Sequence, residues 1–137
     1  MKIRQIMSTQ VHLISPDQTI REAARKMSEE DVGALPIAES DRLLGMITDR
    51  DIAIRAVAEG KGPTTKVSDV MTSNVKYCFE DEELEHVTQN MADIQMRRMP
   101  VMDRDKRLVG IVSLADLATK AGMTQAGKAL GGISQPG

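Results

Sequence analysis

The hydrophobic and polar positions in the first part of the chain predict a strand followed by a helix. Residues 11–14 are apolar apart from one histidine and predict a short strand, which the Ser-Pro-Asp after it would end. The helix would begin at Thr19, because Thr19 to Glu22 has the hydroxyl-x-x-carboxylate spacing of a capping box. Apolar residues at helical spacing predict its buried face: Ile20, Ala23, Ala24 and Met27.

Two further strands and a second helix complete this order. Residues 34–37 predict a strand that Pro36 confines to an edge or entry position. Residues 43–47 are a nearly continuous apolar run, as expected of a buried strand, and Thr48 would open a helix of about ten residues. The first part of the chain therefore predicts a β-α-β-β-α unit.

The same order of elements returns later in the chain, with one inserted residue in a turn. Strands are predicted at residues 75–79, 99–102 and 108–112, and Ser113 would open the last helix. Leu84, Val87, Met91 and Ile94 give the first helix of this copy its apolar face. The matched pairs include Met7 with Met71, Asp17 with Asp81, Pro36 with Pro100, Gly45 with Gly110, and Asp51 with Asp116.

This duplication predicts the fold class and the domains. We expect an α/β protein of two pseudo-symmetric β-α-β-β-α repeats packed as one module, because a unit of about 60 residues struggles to bury its own apolar face. The first repeat would span residues 1–60, a linker 61–66 and the second repeat 67–121. Residues 122–137 are rich in glycine and would form a flexible or loosely docked tail.

Composition and charge exclude several classes of function. The 18 basic and 20 acidic residues leave a net charge of −2, unlike the basic footprint of a nucleic-acid binder. Tyr77 and Phe79 are the only aromatic residues, which leaves little for stacking on bases. No apolar run approaches a membrane-spanning helix, and the start of the chain is unlike a signal peptide. With Cys78 as its single cysteine, the chain is expected in the cytoplasm.

Two segments have residue types that can bind a ligand. Residues 45–51 and 110–116 each contain glycine, two apolar residues, a hydroxyl, two more residues and then aspartate. The hydroxyl stands where a buried strand becomes a helix, and the amide groups at such a start favour an anion such as phosphate. The aspartate one turn later can accept hydrogen bonds from the hydroxyls of a ribose. The alternative is that each motif is a plain helix cap.

These residues resemble a known family. Residues 32–37 with 45–51, and residues 97–101 with 110–116, are similar to the motifs of CBS (cystathionine beta-synthase) domains. The chain as a whole, to about residue 121, resembles a tandem CBS pair, or Bateman module, of the short stand-alone bacterial kind. The resemblance implies two clefts between the repeats that bind adenosyl ligands: AMP, ADP or ATP, or else NAD or S-adenosylmethionine.

The resemblance also implies which residues would bind the ligand. Asp51 and Asp116 would hold ribose hydroxyls, and Thr48 and Ser113 would contact phosphate or ribose. The backbone near Leu35 would hold adenine, as would that near Met99. One cleft would combine Thr48 and Asp51 with Val75, Arg97, Arg98 and Met99, and the other would combine Ser113 and Asp116 with Val11, Gly33, Ala34 and Leu35. The arginines would favour phosphate in the first cleft.

Three hypotheses for function follow. The first is a non-enzymatic regulatory module that binds adenine nucleotides and signals to an unknown protein through a change in shape or association. The second is an interaction module that has kept the fold and lost the ligand. The third is an enzyme, which the lack of a nucleophile–base pair or a metal cluster in the sequence disfavours. Excess apolar residues on the last helix of each repeat predict a homodimer: Ile52, Ala53, Ile54, Ala56 and Val57, and Leu114, Leu117, Ala118 and Ala121.

Overall fold

The computed structural model describes residues 1–94 and 97–116, with backbone alone for residues 93, 94 and 114. In chain order the helices and strands are α1 (Ile20–Glu30), β1 (Ala34–Glu39), β2 (Arg42–Thr48), α2 (Asp49–Asp51, continuing as a π-helix over Ile52–Val57), β3 (Cys78–Phe79), α3 (Leu84–Ile94), β4 (Arg98–Met102), β5 (Leu108–Ser113) and α4 (Leu114–Asp116). Short 3-10 helices at Ile3–Gln5 and Val67–Asp69 lie at the start of the two repeats. The predicted α/β fold with two similar repeats is confirmed.

The chain forms two compact units that exchange their first segments. The first-repeat unit is His12–Val75, and the second-repeat unit joins Met1–Val11 to the chain from Lys76 onward. The 3-10 helix with Ile3 therefore packs in the core of the second-repeat unit, and the one with Val67 packs in the core of the first-repeat unit. The compact units thus differ from the sequence repeats, whose boundaries at residues 60 and 67 stay a prediction.

Each unit contains an antiparallel hairpin. β1 and β2 are joined at Ser40 and Asp41, which both have positive φ, as a type I′ turn requires. β4 and β5 are joined by a longer loop, residues 103–107, in which the Asp103 carboxylate accepts hydrogen bonds from Asp105 N and Arg107 N, both 2.9 Å. The one extra residue of the second repeat, relative to the first, therefore lies in this loop.

The strand predicted at residues 11–14 is wrong except for its last residue. Ile14 makes a single parallel bridge to Ile37, and the residues before it have no strand partner. In the second repeat the strand predicted at residues 75–79 is reduced to Cys78–Phe79, paired with β4. The physical reason is that both segments connect the two compact units, so most of their length does not run along a strand.

The linker belongs to the first-repeat unit through its contacts with α1. Ile20 N and Arg21 N, which have no acceptor inside the helix, donate to the carbonyls of Thr65 (2.8 Å) and Pro63 (3.2 Å). Thr19 Oγ1 accepts from Glu22 N at 3.2 Å, as the capping pattern predicted. On the apolar face of this helix Ala24 is exposed, a correction to the predicted set, whereas the other three residues are buried.

The repeated glycines are explained by a close crossing of the chain. A Cβ atom on Gly45 would lie 2.6 Å from the carbonyl oxygen of Thr72, and one on Gly110 would lie 2.9 Å from that of Ser8. The segments that contain Thr72 and Ser8 also pair with β2 and β5 through reciprocal 2.9 Å hydrogen bonds. Thr72 pairs with Met46, and Ser8 pairs with Ile111. Only glycine lets the exchanged segment approach the second hairpin strand so closely.

The helix after Thr48 presents apolar side chains on more than one side. Ala56 is fully buried, while Ile54 and Val57 are 51% and 67% exposed. Ala53 is also exposed, so most of the apolar residues on this helix lie outside the core. The second predicted apolar helix, with Leu117, Ala118 and Ala121, lies outside the described residues, as does the tail from residue 122.

Candidate ligand-binding edges

The first candidate site lies where β2 ends and α2 begins. Thr48 is extended, with φ −117° and ψ 162°, and its side chain accepts from Asp51 N at 3.0 Å. Thr48 N donates in return to Asp51 Oδ2 at 3.1 Å. The two residues form a reciprocal capping box, which fixes the Asp51 carboxylate at the end of the strand with 8% of the residue exposed.

Ser113 and Asp116 form the same arrangement where β5 ends. Asp116 N donates to Ser113 Oγ at 3.2 Å, and Ser113 N donates to Asp116 Oδ2 at 3.0 Å. The Ser113 hydroxyl also lies 3.2 Å from Asp116 Oδ2 and can donate to it. Both hydroxyl-x-x-Asp motifs are therefore helix caps, and each holds a partly buried carboxylate in a defined position.

The strand before each Pro lies next to the motif of its own repeat. Ala34 is the register partner of Thr48, and Asp49 N donates to the Gly33 carbonyl at 3.0 Å. In the second repeat Arg98 is the partner of Ser113. The cause is the hairpin, because an antiparallel pair brings the start of its first strand beside the end of its second.

The structure brings predicted site residues together within each compact unit, and the two clefts expected between the repeats stay a prediction. Within one compact unit, Arg97, Arg98 and Met99 accompany Ser113 and Asp116 rather than Thr48 and Asp51. The first-repeat unit contains Val75 and, at one end of its hairpin, the residues that we name the first edge: Gly33, Ala34, Leu35, Thr48 and Asp51. The second-repeat unit contains Val11 and, at the same end of its hairpin, the residues that we name the second edge: Arg97, Arg98, Met99, Ser113 and Asp116.

Backbone and side chains have separate tasks at these edges. The side chains of Leu35 and Met99 are 0% and 1% exposed and belong to the two cores. Of these residues only the backbone could meet a base, as the resemblance implied. Arg97 is exposed and Arg98 half-buried, so neither side chain belongs to the core.

Two charged residues near the first edge were missed by the sequence analysis. Asp49 lies beside Gly33, where a Cβ atom would be 3.1 Å from the carboxylate oxygen Oδ2. Arg55 Nε lies 3.7 Å from Asp51 Oδ1, and its Nη1 donates to the Met71 carbonyl at 3.2 Å. Arg55 follows Asp51 at the i, i+4 spacing of a helical ion pair, which is the signal that could have identified it.

Other reactive groups give little sign of chemistry. Cys78 is buried, and burial, with a smaller contribution from Glu82, raises the pKa of its thiol to about 12, so it stays protonated and poorly nucleophilic. Within residues 1–94 and 97–116, no three His, Cys, Asp or Glu side chains are grouped as metal ligands. Over the same residues, none of the helices has the length and apolar character needed to cross a bilayer.

Comparison with known proteins identifies both repeats. The family model of the CBS domain matches residues 3–57 and again residues 67–121. The chain is 45% identical over 133 residues to the CBS domain-containing protein YhcV of Bacillus subtilis, covering 96% of this chain and 94% of that protein. It is 39% identical over 117 residues to hypoxic response protein 1 of Mycobacterium tuberculosis, covering 84% and 81% of the two chains.

A solved structure provides a comparison with bound ligands. The CBS domain pair of the protein MJ0100, crystallised with 5′-methylthioadenosine and S-adenosyl-L-methionine, is 31% identical to this chain with a TM-score of 0.75. The match covers 86% of this chain and 93% of that one. Together with the two family matches and the repeated hairpin and cap geometry, this shows that the chain belongs to the CBS domain family and carries two CBS domains in tandem.

Proposed function

We propose that this CBS pair is a non-enzymatic regulatory module that binds an adenine nucleotide or a related adenosyl ligand at its two edges. Binding would change its shape or its association with a partner, because a ligand shifts a conformational equilibrium when it binds one state more tightly. The observation that carries the proposal is the repeated carboxylate: Asp51 and Asp116 are held in matching positions by matching caps.

The chemistry of an adenosyl ligand suits these edges. Asp51 uses Oδ2 for the cap, and its Oδ1 faces Arg55 at 3.7 Å, beyond hydrogen-bond distance. That oxygen can accept from a ribose hydroxyl without breaking the cap. The extended backbone beside it, around Leu35, can meet the edge of a base. The adenosyl ligands in the related MJ0100 pair support this class of ligand.

Thermal denaturation with AMP, ADP, ATP, NAD and S-adenosylmethionine tests the proposal. A ligand that binds only the folded protein stabilises it by about 2.7 kcal/mol at 100 times its dissociation constant. For a chain of this size the melting temperature should rise by roughly 5–10 °C. Absence of any shift at millimolar concentration would contradict the proposal.

Variants separate ligand binding from helix capping. Asp51→Ala and Asp116→Ala should each remove the affinity of one edge, measured by isothermal titration calorimetry. Thr19→Ala is the matched control, because Thr19 caps α1 in the same way but belongs to neither edge. It should lower stability by about 0.5–2 kcal/mol and leave affinity unchanged. Equal loss of affinity in all three variants would mean that these aspartates act only as caps.

A second candidate is a protein-interaction module without a ligand. The observation that favours it is the pair of exposed apolar side chains on α2, Ile54 and Val57. A second copy of the chain would cover them, which is the homodimer that the sequence predicts. Light scattering at micromolar concentration tests this: Ile54→Glu should convert a dimer into a monomer, and a monomeric wild-type protein would overturn it.

A further inference from the structure

The Asp51 carboxylate has one oxygen in the cap and one that is open to a ligand. Oδ2 accepts from Thr48 N at 3.1 Å, whereas no hydrogen bond to Oδ1 forms within residues 1–94 and 97–116. The side chain of Asp51 is 11% exposed, so the carboxylate has lost much of the water that it would bind in the unfolded chain. A hydroxyl donor that reached Oδ1 would therefore fill an acceptor that is already partly dehydrated.

A guanidinium lies next to this oxygen without occupying it. Arg55 Nε is 3.7 Å from Asp51 Oδ1, which is too long for a hydrogen bond and close enough for charge attraction. The cation offsets part of the cost of burying the carboxylate. Because it forms no hydrogen bond to Oδ1, it leaves the lone pairs of that oxygen to another donor.

Arg55 is fixed by a second contact, outside its own helix. Its Nη1 donates to the Met71 carbonyl at 3.2 Å, and the next residue, Thr72, exchanges two 2.9 Å hydrogen bonds with Met46. More than half of the Arg55 side chain is exposed, and an exposed arginine without such a tether is free to turn into water. The tether to a hydrogen-bonded backbone therefore keeps the guanidinium beside Asp51.

The helix that carries Arg55 departs from α-helical geometry directly after Asp51. Ile52–Val57 is a π-helix, and Ala58 N donates to the Ala53 carbonyl, five residues back, at 2.9 Å. π-Helices are rare and occur frequently at functional sites. A rare turn that holds the tethered guanidinium beside the capped carboxylate is thus an independent indication that this pair has a function.

We propose that Arg55 is a positioning residue that makes the Asp51 site select adenosyl ligands with free ribose hydroxyls. Arg55 keeps Oδ1 in place and open, so a ribose hydroxyl forms a charge-assisted hydrogen bond there, and a ligand without that hydroxyl does not. The inference rests on the proposed adenosyl binding and deepens it, because it names what the site recognises in the ligand. It concerns Asp51 and Arg55 alone, whichever segments complete the cleft around the ligand.

Two nucleosides that differ only in these hydroxyls test the inference. Adenosine and 2′,3′-dideoxyadenosine share the base and carry no charge, so the cation itself favours neither of them. Calorimetric titration of the Asp116→Ala protein, which lacks the other capped carboxylate, measures the Asp51 site. We expect adenosine to bind at least about tenfold more tightly than the dideoxynucleoside, the effect of one hydrogen bond to a charged group. If Asp116→Ala does not fold, a two-site fit to the otherwise wild-type protein gives the same comparison.

Arg55→Met is the decisive variant, because it removes the charge and both contacts and keeps an unbranched side chain. It should bring the two affinities within about threefold of each other, by weakening adenosine and leaving the dideoxynucleoside unchanged. Arg55→Lys keeps a charge beside Asp51 and should retain most of the preference. Arg25→Gln removes an exposed charge from α1 of the same unit and is the matched control, which should leave the preference intact.

The outcomes separate this inference from the proposed function. If Arg55→Met keeps the preference, or weakens both nucleosides equally, Arg55 has no part in recognising the ribose; the inference is then wrong and adenosyl binding stands. Equal affinity of the wild-type protein for the two nucleosides would also overturn it. If the wild-type protein does not bind adenosine, the inference fails, and the melting temperature with AMP, ATP or S-adenosylmethionine decides the proposed function separately.

Discussion

The two compact units have the same hairpin and the same cap and differ in the residues around them. Thr48 with Asp51, and Ser113 with Asp116, share the same two reciprocal cap hydrogen bonds. The neighbouring positions are not repeated, as Gly33 and Arg97 show. The hydroxyl and the carboxylate cap the start of a helix in both units, whereas the charge of the residues beside them differs. Differences in ligand preference can therefore arise without loss of structure.

The two units also differ in which atoms surround the glycine of the second hairpin strand, Gly45 or Gly110, where the exchanged segment passes close to it. At Gly45 the nearest atom to an added Cβ is the Thr72 carbonyl oxygen at 2.6 Å, with Met71 Sδ at 2.8 Å. At Gly110 the nearest is Met7 Sδ at 2.6 Å, and the Ser8 carbonyl is at 2.9 Å. A methionine side chain can move, while a hydrogen-bonded backbone cannot, so the crossing is less adaptable in the first-repeat unit.

The largest expected effect tests the exchange of segments. Ile3→Ala should lower the free energy of unfolding by about 2–5 kcal/mol, because Ile3 is fully buried. Hydrogen exchange should show the loss in α3 and β4, whose residues share its core, more than in α1 and β1. Ile54→Ala is the control, with an expected change within about 0.5 kcal/mol. Greater loss of protection in α1 would contradict the assignment of Ile3 to the second-repeat unit.

The second prediction compares the two crossings. Gly45→Ala should cost about 2–3 kcal/mol of stability and Gly110→Ala about 1–2 kcal/mol, since the methionine at the second crossing can move aside. Urea denaturation measures both. Gly62→Ala is the matched control, because a Cβ atom there meets nothing within 4 Å. A larger cost at Gly110 would show that the second crossing is the more rigid one.

The third prediction concerns the caps. Ser113→Ala should lower stability by about 1–2 kcal/mol and Thr48→Ala by about 0.5–1 kcal/mol. The Ser113 hydroxyl is positioned to donate to its aspartate as well as accept from the backbone, so more is lost there. Thermal denaturation measures both, with the exposed Thr64→Ala as control. Equal costs would mean that the extra hydroxyl contact adds nothing.

The smallest expected effect is on the pH dependence of stability in acid. Arg104 holds the pKa of Asp81 below its ordinary value of 3.8, and Lys2 with the terminal amine holds that of Glu83 below 4.5. Because both pKa values are lower in the folded state, the stability they add is present above the ordinary values and is lost as the pH falls from these through the lower values of the folded protein.

Melting temperature measured from about pH 6 to pH 3 follows this loss. Arg104→Ala removes the bidentate pair with Asp81 and should make the acid dependence shallower. Arg42→Ala, a substitution of an exposed arginine on the other hairpin, serves as control. An unchanged acid dependence in Arg104→Ala would mean that this surface pair contributes nothing measurable, as many do.

Much of the fold was predictable from the sequence, because amphipathic spacing fixed α1 and α3 and the apolar runs fixed the hairpin strands. The strand at residues 11–14 was predicted wrongly because apolar character does not show which edge a segment pairs with. The grouping of Arg97 with Thr48 relied on the resemblance to the CBS family and stays a prediction, and the hairpin register adds that Arg98 lies beside Ser113.

The contact of Asp49 with Gly33 could not be predicted from spacing. In the sequence Asp49 is one of three charged residues after Thr48, and only this contact distinguishes it. The ion pair of Arg55 with Asp51 was accessible from helical spacing alone. Residues whose importance depends on a local hydrogen bond could be placed from sequence, and those that depend on a tertiary contact could not.

The exchange of segments has a consequence for gene duplication and for protein fragments. The core around Ile14 and Ile47 is completed by Val67 and Val70, which the sequence assigns to the other repeat. An ancestral chain with one repeat could complete its core only by folding its leading segment back on itself or by lending it to a second copy. Cutting the modern chain within residues 57–66 should therefore give two pieces that associate when mixed. Each piece would lack the leading segment that completes its core, and the other piece would carry that segment.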